Sequence, residues 1–352
     1  MKFFLKNLLL FFPMIRKPVF LIPGLGGSTL YHKGTMKEIW PPSFSSLFSP
    51  KEFLSNFKVS YINNEFQPDI PTITGPIGNC ESIRIIKPWM VPFLKHDYFH
   101  TLLHFIEKDY DIYCFPYDFR ILGNKNYRSL LNQNLKESIE RQKEKVVLIS
   151  HSLGGIFLHQ FLLEQTMEWK DQHIDKLITI NCPYGGSIHS FDILLKNKIE
   201  KPILNQIDYI ENLSPFLWLI PNPYIEPPEL LFQNETMKVY NHNISVLLED
   251  RIWERIQYHF RELQENIKKD VLVPTYIIHS TEKPTRQYLS SSLNQTSFIS
   301  GDGILTLQSL TLPKRYWKNQ TLLHFIEIPN EEHTEILKSP SLLETLKKLI
   351  SL

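Results

Sequence analysis

The sequence predicts an α/β fold with a mostly parallel central sheet flanked by helices. Short apolar runs have the length and composition of buried parallel strands, and they fall at residues 18–22, 112–115, 146–149, 177–180, 271–278 and 322–328. Segments such as residues 98–107 and 251–268 carry apolar residues at helical spacing instead. Strands that alternate with helices in this way form units in which crossover helices cover both faces of a parallel sheet.

The most informative local feature is KVVLISHSLGG at residues 145–155, where an apolar strand turns sharply into a helix with Ser152 at the apex. Such a turn strains the backbone of the apical serine, so the residues two before and two after it must be small. Ser150 and Gly154 meet this requirement, although the usual pattern has glycine at both positions. An ordinary helix start with a capping serine is the plainer alternative. The surrounding sequence favours the nucleophile elbow of a serine hydrolase.

Composition narrows the class of function. The chain has 352 residues, enough for one large domain with insertions, which we favour, or for two domains of ordinary size. Its net charge is +1 with histidine neutral, and its lysines and arginines are scattered, which argues against nucleic-acid binding and favours a neutral or amphipathic partner. The cysteines, Cys80, Cys114 and Cys182, show no metal-binding spacing, and their odd number leads us to interpret them as buried thiols. We expect no cofactor and no metal.

Residues 1–17 form an apolar N-terminal segment with lysines at positions 2 and 6. The segment is shorter than the roughly 18 apolar residues of a membrane span, and it has no small-residue cleavage site. A signal-like segment, an uncleaved anchor and a membrane-surface contact all fit it. Five Asn-x-Ser/Thr sequons would suit a secretory protein, but a chain this rich in Asn, Ser and Thr produces several by chance. Membrane association, the endoplasmic reticulum lumen and the secretory pathway all stay open as locations.

The first predicted strand ends in PGLGGS at residues 23–28, as a buried parallel strand does when it enters a glycine-rich loop. Beside the elbow, such a loop offers a backbone N–H to a developing oxyanion, here from Leu25. A second N–H would come from Leu153, directly after the predicted nucleophile. A plain turn or a phosphate loop is the alternative. No Lys-Ser or Lys-Thr pair follows to complete a phosphate loop.

Two insertions interrupt the predicted core, which comprises residues 18–189 and 271–352. Residues 32–90 are rich in Pro, Phe and Trp with little periodicity, so we interpret them as a lid-like insertion whose aromatics either contact lipid or pack on the domain. Residues 190–270 contain LSPFLWLIPNPYIEPPELLF, which predicts a cap over the active site for apolar chains, although a packed subdomain would look similar. Four aromatic residues are candidates for substrate binding: Trp40, Tyr184, Phe216 and Trp218.

The elbow requires an acid and a base further along the chain, each in a loop after a strand. Asp302 lies in SGDGILTLQSL, a glycine-flanked turn that can hold a carboxylate rigidly. His333 lies in NEEHTEIL, directly after the last predicted strand. His279 and His324 fall at the end of a strand and inside one, which suits packing or hydrogen bonding. Glu282, the competing acid, lacks a glycine-bounded turn.

The strand at residues 112–115 leads into YDFR, in which Asp118 and Arg120 are expected to form a structural pair. With these segments in place, the chain resembles the lecithin:cholesterol acyltransferase family, which includes phospholipid:diacylglycerol acyltransferases and lysosomal-type phospholipases. The resemblance runs from about residue 18 to the C-terminus. Its motifs are PVFLIPGLGGSTL, YDFR, SHSLGG, NCPYGGS, SPFLWLIP, GDG followed by QSL, and EEHTEIL.

The resemblance implies an α/β-hydrolase fold and a set of site residues. The implied roles are nucleophile for Ser152, acid for Asp302, base for His333, and oxyanion hole for the N–H groups of Leu25 and Leu153. One departure is that no cysteine pair closes a short loop after Trp40, as in the disulfide-closed lid of some relatives.

The implied function is a serine-dependent acyltransferase that moves a fatty acyl chain from a phospholipid to a sterol or diacylglycerol through an acyl-enzyme. A phospholipase A or lipid esterase, which uses water as acceptor, shares the first half-reaction, so the sequence leaves both open. A non-catalytic lipid-binding module on the same fold is a more remote alternative. The expected partners are a phospholipid donor, a lipid alcohol acceptor and a membrane or lipid surface, with no nucleic acid.

Overall fold

The strands of the fold coincide largely with the apolar runs of the sequence. The computed structural model describes residues 16–41, 55–86, 96–190, 214–221, 229–232, 235–238, 250–287, 289–290, 298–319 and 321–352. In chain order the strands are β1 (Pro18–Ile22), β2 (Leu30–His32), β3 (Glu38–Trp40), β4 (Val59–Ile62), β5 (Glu65–Pro68), β6 (Thr72–Thr74), β7 (Ile85–Ile86), β8 (His96–Asp97), β9 (Asp111–Cys114), β10 (Val146–His151), β11 (Ile174–Ile180), β12 (Glu229–Phe232), β13 (Glu235–Lys238), β14 (Thr275–Thr281), β15 (Lys283–Arg286), β16 (Leu289–Ser290), β17 (Phe298–Gly301) and β18 (Leu323–Pro329).

Helices alternate with the long strands, as the sequence predicts. In chain order they are α1 (Glu81–Arg84), α2 (His100–Ile106), α3 (Lys125–Glu140), α4 (Leu153–Leu163), α5 (Met167–His173), α6 (Ser214–Trp218), α7 (Asp250–Asn266), α8 (Leu307–Leu310), α9 (Pro313–Tyr316) and α10 (Pro340–Ser351). Short 3₁₀ turns occupy Phe119–Ile121 and Glu335–Lys338. Within the part of the chain that the structure describes, no helix is long and apolar enough to cross a membrane.

The central sheet has the strand order β18–β14–β11–β10–β1–β9, and each neighbouring pair runs parallel. Successive side chains of its strands point to opposite faces, so alternate residues enter different cores. Leu148 packs in one core, under α3 and α4, whereas Val147 and Ile149 pack in the other, under α2 and α10. Burial on both faces explains why these strands read as continuous apolar runs. The predicted fold class, a mostly parallel sheet flanked by helices, is confirmed.

Several smaller sheets accompany the central one, and the periodicity of apolar residues in the sequence did not predict them. Antiparallel β2, β3 and β6 form a three-stranded sheet in the lid-like insertion, and β4 pairs with β5. The hairpin of β15 and β17 leads into the segment that contains Asp302. The N-terminal segment, up to residue 15, and much of the predicted cap lie outside the described residues, so the proposed domain boundaries stay predictions.

Asp118 and Arg120 form the structural pair expected from YDFR. The guanidinium of Arg120 donates from Nε to Oδ1 of Asp118 at 2.9 Å and from Nη2 to Oδ2 at 2.7 Å, and both residues are buried. Arg120 also donates to the carbonyl of Phe57, and its own carbonyl accepts from the hydroxyl of Ser214. The pair therefore connects the lid-like insertion and the start of α6 to the core.

The interpretation of all three cysteines as free thiols is wrong for two of them. Cys80 and Cys114 form a disulfide, whereas Cys182 is a buried thiol. The two bonded residues are 34 positions apart in the sequence. They meet because the loop before α1 folds against the end of β9, where the N–H of Gly78 donates to the carbonyl of Cys114. The spacing of the cysteines in the sequence did not predict this disulfide, because the two residues meet only when the loop before α1 packs against the edge strand β9.

The described aromatics of the lid-like insertion pack on the domain. Trp40 lies against Phe57 and Phe119, with ring centroids 5.3 and 5.8 Å away. Both Trp40 and Phe57 contact the core under α3 and α4. Phe44, Phe48, Phe53 and Trp89 lie outside the described residues.

Candidate active site

Parallel strands bring the predicted site residues to one edge of the sheet. The glycine-rich loop follows β1, Ser152 follows β10, Asn181 follows β11, and His333 follows β18. Asp302 reaches the same edge through the β15–β17 hairpin, which extends from the end of β14. In an open α/β sheet, ligands bind beyond the carboxyl ends of the strands, so this edge is where a site is expected.

Ser152 has the backbone geometry of a nucleophile elbow. Its φ is 52° and its ψ is −128°, a conformation that L-residues rarely adopt. The glycine-rich loop approaches so closely that a Cβ on Gly24 would lie 2.7 Å from the Cβ of Ser152. A Cβ on Gly154 would lie 2.5 Å from the carbonyl oxygen of Pro23. Only residues without a side chain fit at positions 24 and 154, which explains the two glycines.

The structure brings together the residues predicted as nucleophile, base and acid. Nε2 of His333 lies 2.9 Å from Oγ of Ser152, and Nδ1 of His333 lies 2.6 Å from Oδ2 of Asp302. Asp302 is fully buried, whereas Ser152 and His333 are 8% and 9% exposed. The arrangement allows the serine hydroxyl to donate to the imidazole while the imidazole donates to the carboxylate. This is the geometry of nucleophilic catalysis by a serine.

The turn that holds Asp302 fixes the carboxylate through the backbone. Oδ1 of Asp302 accepts from the N–H groups of Ile304 at 3.0 Å and Leu305 at 2.7 Å, which leaves Oδ2 for His333. A Cβ on Gly301 would lie 2.1 Å from the carbonyl oxygen of Leu305, so the tight turn requires glycine there. Gly303 has a φ of +89°, which also favours glycine. The rigid turn expected from GDG is present.

Within the described part of the chain, the N–H groups predicted for the oxyanion hole have no protein acceptor. Leu153 is the first residue of α4, and helix N-termini leave their N–H groups without intrahelical partners. Among the described residues, neither the N–H of Leu153 nor that of Leu25 donates to a protein acceptor. Leu25 follows Gly24, which lies against Ser152. Both N–H groups are therefore free to donate to a substrate oxygen beside the serine.

The four aromatic candidates for substrate binding have different surroundings. Trp40 is half-buried, and its Nε1 donates to the carbonyl of Gly26 at 2.8 Å, so it supports the glycine-rich loop. Phe216 is half-buried against the core. Tyr184 and Trp218 are buried, and the hydroxyl of Tyr184 donates to Thr179. These two rings pack in the core, and substrate contact stays a prediction for all four aromatics.

The alternatives to His333 and Asp302 are His279, His324 and Glu282, and each lies where its position relative to the strands predicts. His279 is buried within β14, where burial lowers the pKa of its imidazole. His324 is exposed on β18, and its ring stacks on Tyr276 with centroids 4.8 Å apart. Glu282 is exposed and accepts from the side-chain amide of Asn330.

Sequence reasoning missed three buried polar residues of the site, His151, Tyr98 and Asn181. His151, beside the elbow serine, has Nδ1 2.6 Å from the hydroxyl oxygen of Tyr98 and Nε2 2.9 Å from the carbonyl oxygen of His333. Asn181 donates to the same carbonyl at 3.2 Å. Burial lowers the pKa of His151 to about 3, so its imidazole is neutral at ordinary pH. Adjacency to the elbow was a signal for His151, but nothing in the local sequence pointed to Tyr98.

We expect the folded protein to lose stability as the pH falls below about 6.5. Burial lowers the pKa of His151 to about 3 and that of His159 to about 4, while both titrate near 6.5 in the unfolded chain. Below pH 6.5 the unfolded state therefore binds more protons, and the free energy of unfolding falls by up to about 3 kcal/mol per pH unit near pH 5. Denaturant titrations at pH 5, 6 and 7 measure this slope. His159→Gln should halve the change in unfolding free energy per pH unit. An unchanged slope in that variant would show that the lowered pKa of His159 does not cause the loss of stability.

Comparison with known proteins shows which family a segment of the chain resembles. The model of the family described as lecithin:cholesterol acyltransferase matches residues 96–222, which include β9, β10, β11 and the elbow. Over that segment the chain is similar to the lecithin:cholesterol acyltransferase family. The matched segment contains Ser152 but ends before Asp302 and His333, so the argument for those two residues is geometric.

Two relatives show how far the likeness of this chain extends. The lysosomal phospholipase A and acyltransferase of Homo sapiens is 26% identical over 277 residues, which cover 72% of this chain and 66% of that protein. The phosphatidylcholine-sterol acyltransferase of Gallus gallus is 29% identical over 289 residues, covering 72% of this chain and 68% of the relative. The matched region of this chain thus spans about two thirds of the length of these relatives.

A solved structure agrees with the fold. The crystal structure of the Tle4-Tli4 complex aligns with a TM-score of 0.53 at 12% sequence identity, and the alignment covers 95% of this chain and 98% of the other. At that identity the likeness supports the fold alone. It adds to the sheet order and the elbow in identifying an α/β-hydrolase fold.

Proposed function

We propose that this chain is a serine-dependent lipid acyltransferase, which moves a fatty acyl chain from a phospholipid to an alcohol acceptor through an acyl-enzyme. The observation that carries the proposal is the hydrogen-bonded series Ser152, His333 and Asp302, with distances of 2.9 and 2.6 Å, at the carboxyl edge of the sheet. Similarity to these relatives supports the substrate class, since they are named for phospholipase and acyltransferase activities.

In the first half-reaction, Oγ of Ser152 attacks the ester carbonyl carbon of the phospholipid while Nε2 of His333 takes the hydroxyl proton. Asp302 holds the imidazole with its proton on Nδ1 and stabilises the positive charge that develops. The oxyanion of the tetrahedral intermediate accepts from the N–H groups of Leu25 and Leu153. The intermediate then expels the alcohol oxygen of the lysophospholipid, which takes the proton from Nε2, and an acyl-serine ester is left.

In the second half-reaction, an acceptor hydroxyl replaces the leaving alcohol. His333 takes the acceptor proton, the acceptor oxygen attacks the acyl carbon, and the bond to Ser152 breaks as His333 returns a proton to Oγ. A sterol or diacylglycerol acceptor gives a new ester. Water gives a free fatty acid by the same steps.

A phospholipase A or lipid esterase is the second candidate, because water is the default acceptor in any accessible site. A transferase must exclude water and bind its acceptor close to the acyl-serine. The predicted cap over residues 190–270 would serve that purpose. The name of the human relative joins both activities, which favours a single site able to use either acceptor.

The Cys80–Cys114 disulfide favours an oxidising compartment, such as the endoplasmic reticulum lumen or the secretory pathway. Contact with a membrane or lipid surface is part of the proposal, because the donor and the acceptor are both lipids.

A labelled-lipid assay tests the proposed function. Vesicles that contain a phospholipid labelled in one acyl chain are incubated with the protein, with and without a sterol or diacylglycerol. We expect labelled steryl ester or triacylglycerol when an acceptor is present and labelled fatty acid when it is absent. Fatty acid as the sole product under all conditions would establish hydrolysis instead. No product, together with no reaction of Ser152 with a fluorophosphonate, would favour the non-catalytic lipid-binding module.

A further inference from the structure

A buried hydrogen-bond chain joins the glycine-rich loop to the loop of the predicted base. The N–H of Gly24 donates to the hydroxyl oxygen of Tyr98 at 2.8 Å. That oxygen lies 2.6 Å from Nδ1 of His151, and Nε2 of His151 lies 2.9 Å from the carbonyl oxygen of His333. Tyr98 and His151 are 4% and 2% exposed, so water does not compete for these bonds. None of the steps proposed above uses either side chain.

The two ends of the chain fix the direction of every bond in it. The backbone N–H of Gly24 only donates, and the carbonyl of His333 only accepts. Nε2 of His151 must therefore carry a proton, and in the neutral imidazole Nδ1 is then an acceptor. The hydroxyl of Tyr98 must donate to Nδ1 while it accepts from Gly24. Burial keeps His151 neutral and raises the pKa of Tyr98, which agrees with this arrangement.

The backbone of His333 is held on both sides. Its N–H donates to the carbonyl of Asp302 at 2.9 Å, and its carbonyl accepts from His151 and, at 3.2 Å, from the side-chain amide of Asn181. The other end of the Asn181 amide accepts from the N–H of Ser280 at 2.8 Å, which fixes its orientation. The imidazole of His333 is thus positioned by its main chain as well as by the carboxylate of Asp302.

We propose that His151, with Tyr98 behind it, is a positioning residue that holds the base loop and the oxyanion loop at a fixed distance from each other. The inference rests on the proposed function, since it assigns the linked loops to the base His333 and the oxyanion donor Leu25. Leu25 follows Gly24 directly. The hydrogen bond from the N–H of Gly24 to the hydroxyl of Tyr98 therefore orients the residue just before the N–H of Leu25. His151 spans the gap between that hydroxyl and His333.

Two conservative variants of His151 separate its two hydrogen bonds. A glutamine amide reaches the position of Nε2 and keeps a donor for the carbonyl of His333. An asparagine amide reaches only the position of Nδ1, so it keeps the contact with Tyr98 and loses the carbonyl. Tyr98→Phe removes the hydroxyl that both Gly24 and His151 use. Tyr127→Phe is the matched control, since the buried hydroxyl of Tyr127 also accepts from a backbone N–H, that of Asp118 at 2.6 Å, away from the site.

The experiment measures kcat and KM for a labelled phospholipid, the rate of fluorophosphonate labelling at Ser152, and thermal unfolding for the full-length chain and each variant. We expect His151→Asn and Tyr98→Phe to lower kcat and the labelling rate by about 10- to 100-fold with KM unchanged, because small displacements of catalytic groups have effects of this size. His151→Gln should recover part of the activity lost in His151→Asn, because it restores the donor to the carbonyl of His333 but leaves the hydroxyl of Tyr98 without Nδ1. Tyr127→Phe should lower the unfolding temperature but leave kcat unchanged.

Wild-type turnover and labelling establish the proposed function independently of these variants. If wild type is active and Tyr98→Phe and His151→Asn match it, the positioning role is wrong. The positioning role is also wrong if Tyr127→Phe lowers kcat as much as Tyr98→Phe does, because loss of activity would then follow loss of stability alone. If wild type itself neither turns over lipid nor reacts at Ser152, the proposed function is wrong.

Discussion

Ser152→Ala is expected to lower kcat for phospholipid by about 10⁶-fold, because removal of the nucleophile stops acyl-enzyme formation altogether. The folded state should be almost unaffected. The hydroxyl of Ser152 makes one side-chain hydrogen bond, to His333, and alanine fits wherever serine does. The free energy of unfolding should change by no more than about 1 kcal/mol. The assay combines turnover of labelled phospholipid, fluorophosphonate labelling and denaturant unfolding.

Ser150→Ala is the matched control for this prediction. Ser150 lies two residues before the nucleophile and is also buried, and within the described chain its hydroxyl has no hydrogen-bond partner. Its replacement should preserve activity and labelling, since alanine satisfies the steric demand of the elbow. More than about one part in a thousand of wild-type activity in Ser152→Ala would exceed the residual catalysis expected without the nucleophile, and would exclude Ser152 from that role.

Asp302→Asn is expected to lower kcat by about 10⁴-fold through the tautomer of His333. Oδ1 of Asp302 accepts from two backbone N–H groups, those of Ile304 and Leu305, so the asparagine oxygen will occupy that position. Its NH₂ group then faces Nδ1 of His333, which must become an acceptor. The proton of the neutral imidazole moves to Nε2, and the base can no longer accept the proton of Ser152. The measurement is kcat across the pH range in which the variant stays folded.

Glu282→Gln is the control for the acid, because Glu282 is the competing carboxylate after β14. It is exposed and bonded to Asn330, so its neutralisation should leave kcat within about twofold, as for most surface substitutions. A large loss in Glu282→Gln with retained activity in Asp302→Asn would reverse the assignment of the acid. Equal and small losses in both would remove the need for a buried carboxylate.

The elbow and the order of the site residues were predictable because local sterics and chain topology leave few alternatives. Ser152 needs small neighbours, and strand-end loops after it are the available places for an acid and a base. The segment around Asp302 was identified from its glycines, although the hairpin of β15 and β17 that carries it was not predicted. Its strands are short and lie outside the central sheet, so they lack the apolar pattern of a buried strand.

Other features depended on contacts between distant segments. The Cys80–Cys114 disulfide joins a loop to a sheet edge. Tyr184 and Trp218 are candidates for substrate contact from the sequence, and the structure shows that both are buried. An aromatic side chain in a glycine- or proline-rich segment can pack in the core or contact substrate, and the sequence does not separate the two. The buried link from Tyr98 through His151 to His333 spans segments that are far apart in the sequence, so no local pattern records it.

The sequence alone determined the fold class and the elbow at Ser152, because strand periodicity, backbone strain and close approach of main chains restrict residue types locally. Only the tertiary structure decided which polar groups meet at the carboxyl edge of the sheet and in which direction their protons point. The direction of a buried hydrogen bond depends on which donors and acceptors lie beside it. Those neighbours are set when β1, β10, β11 and β18 pair in the sheet.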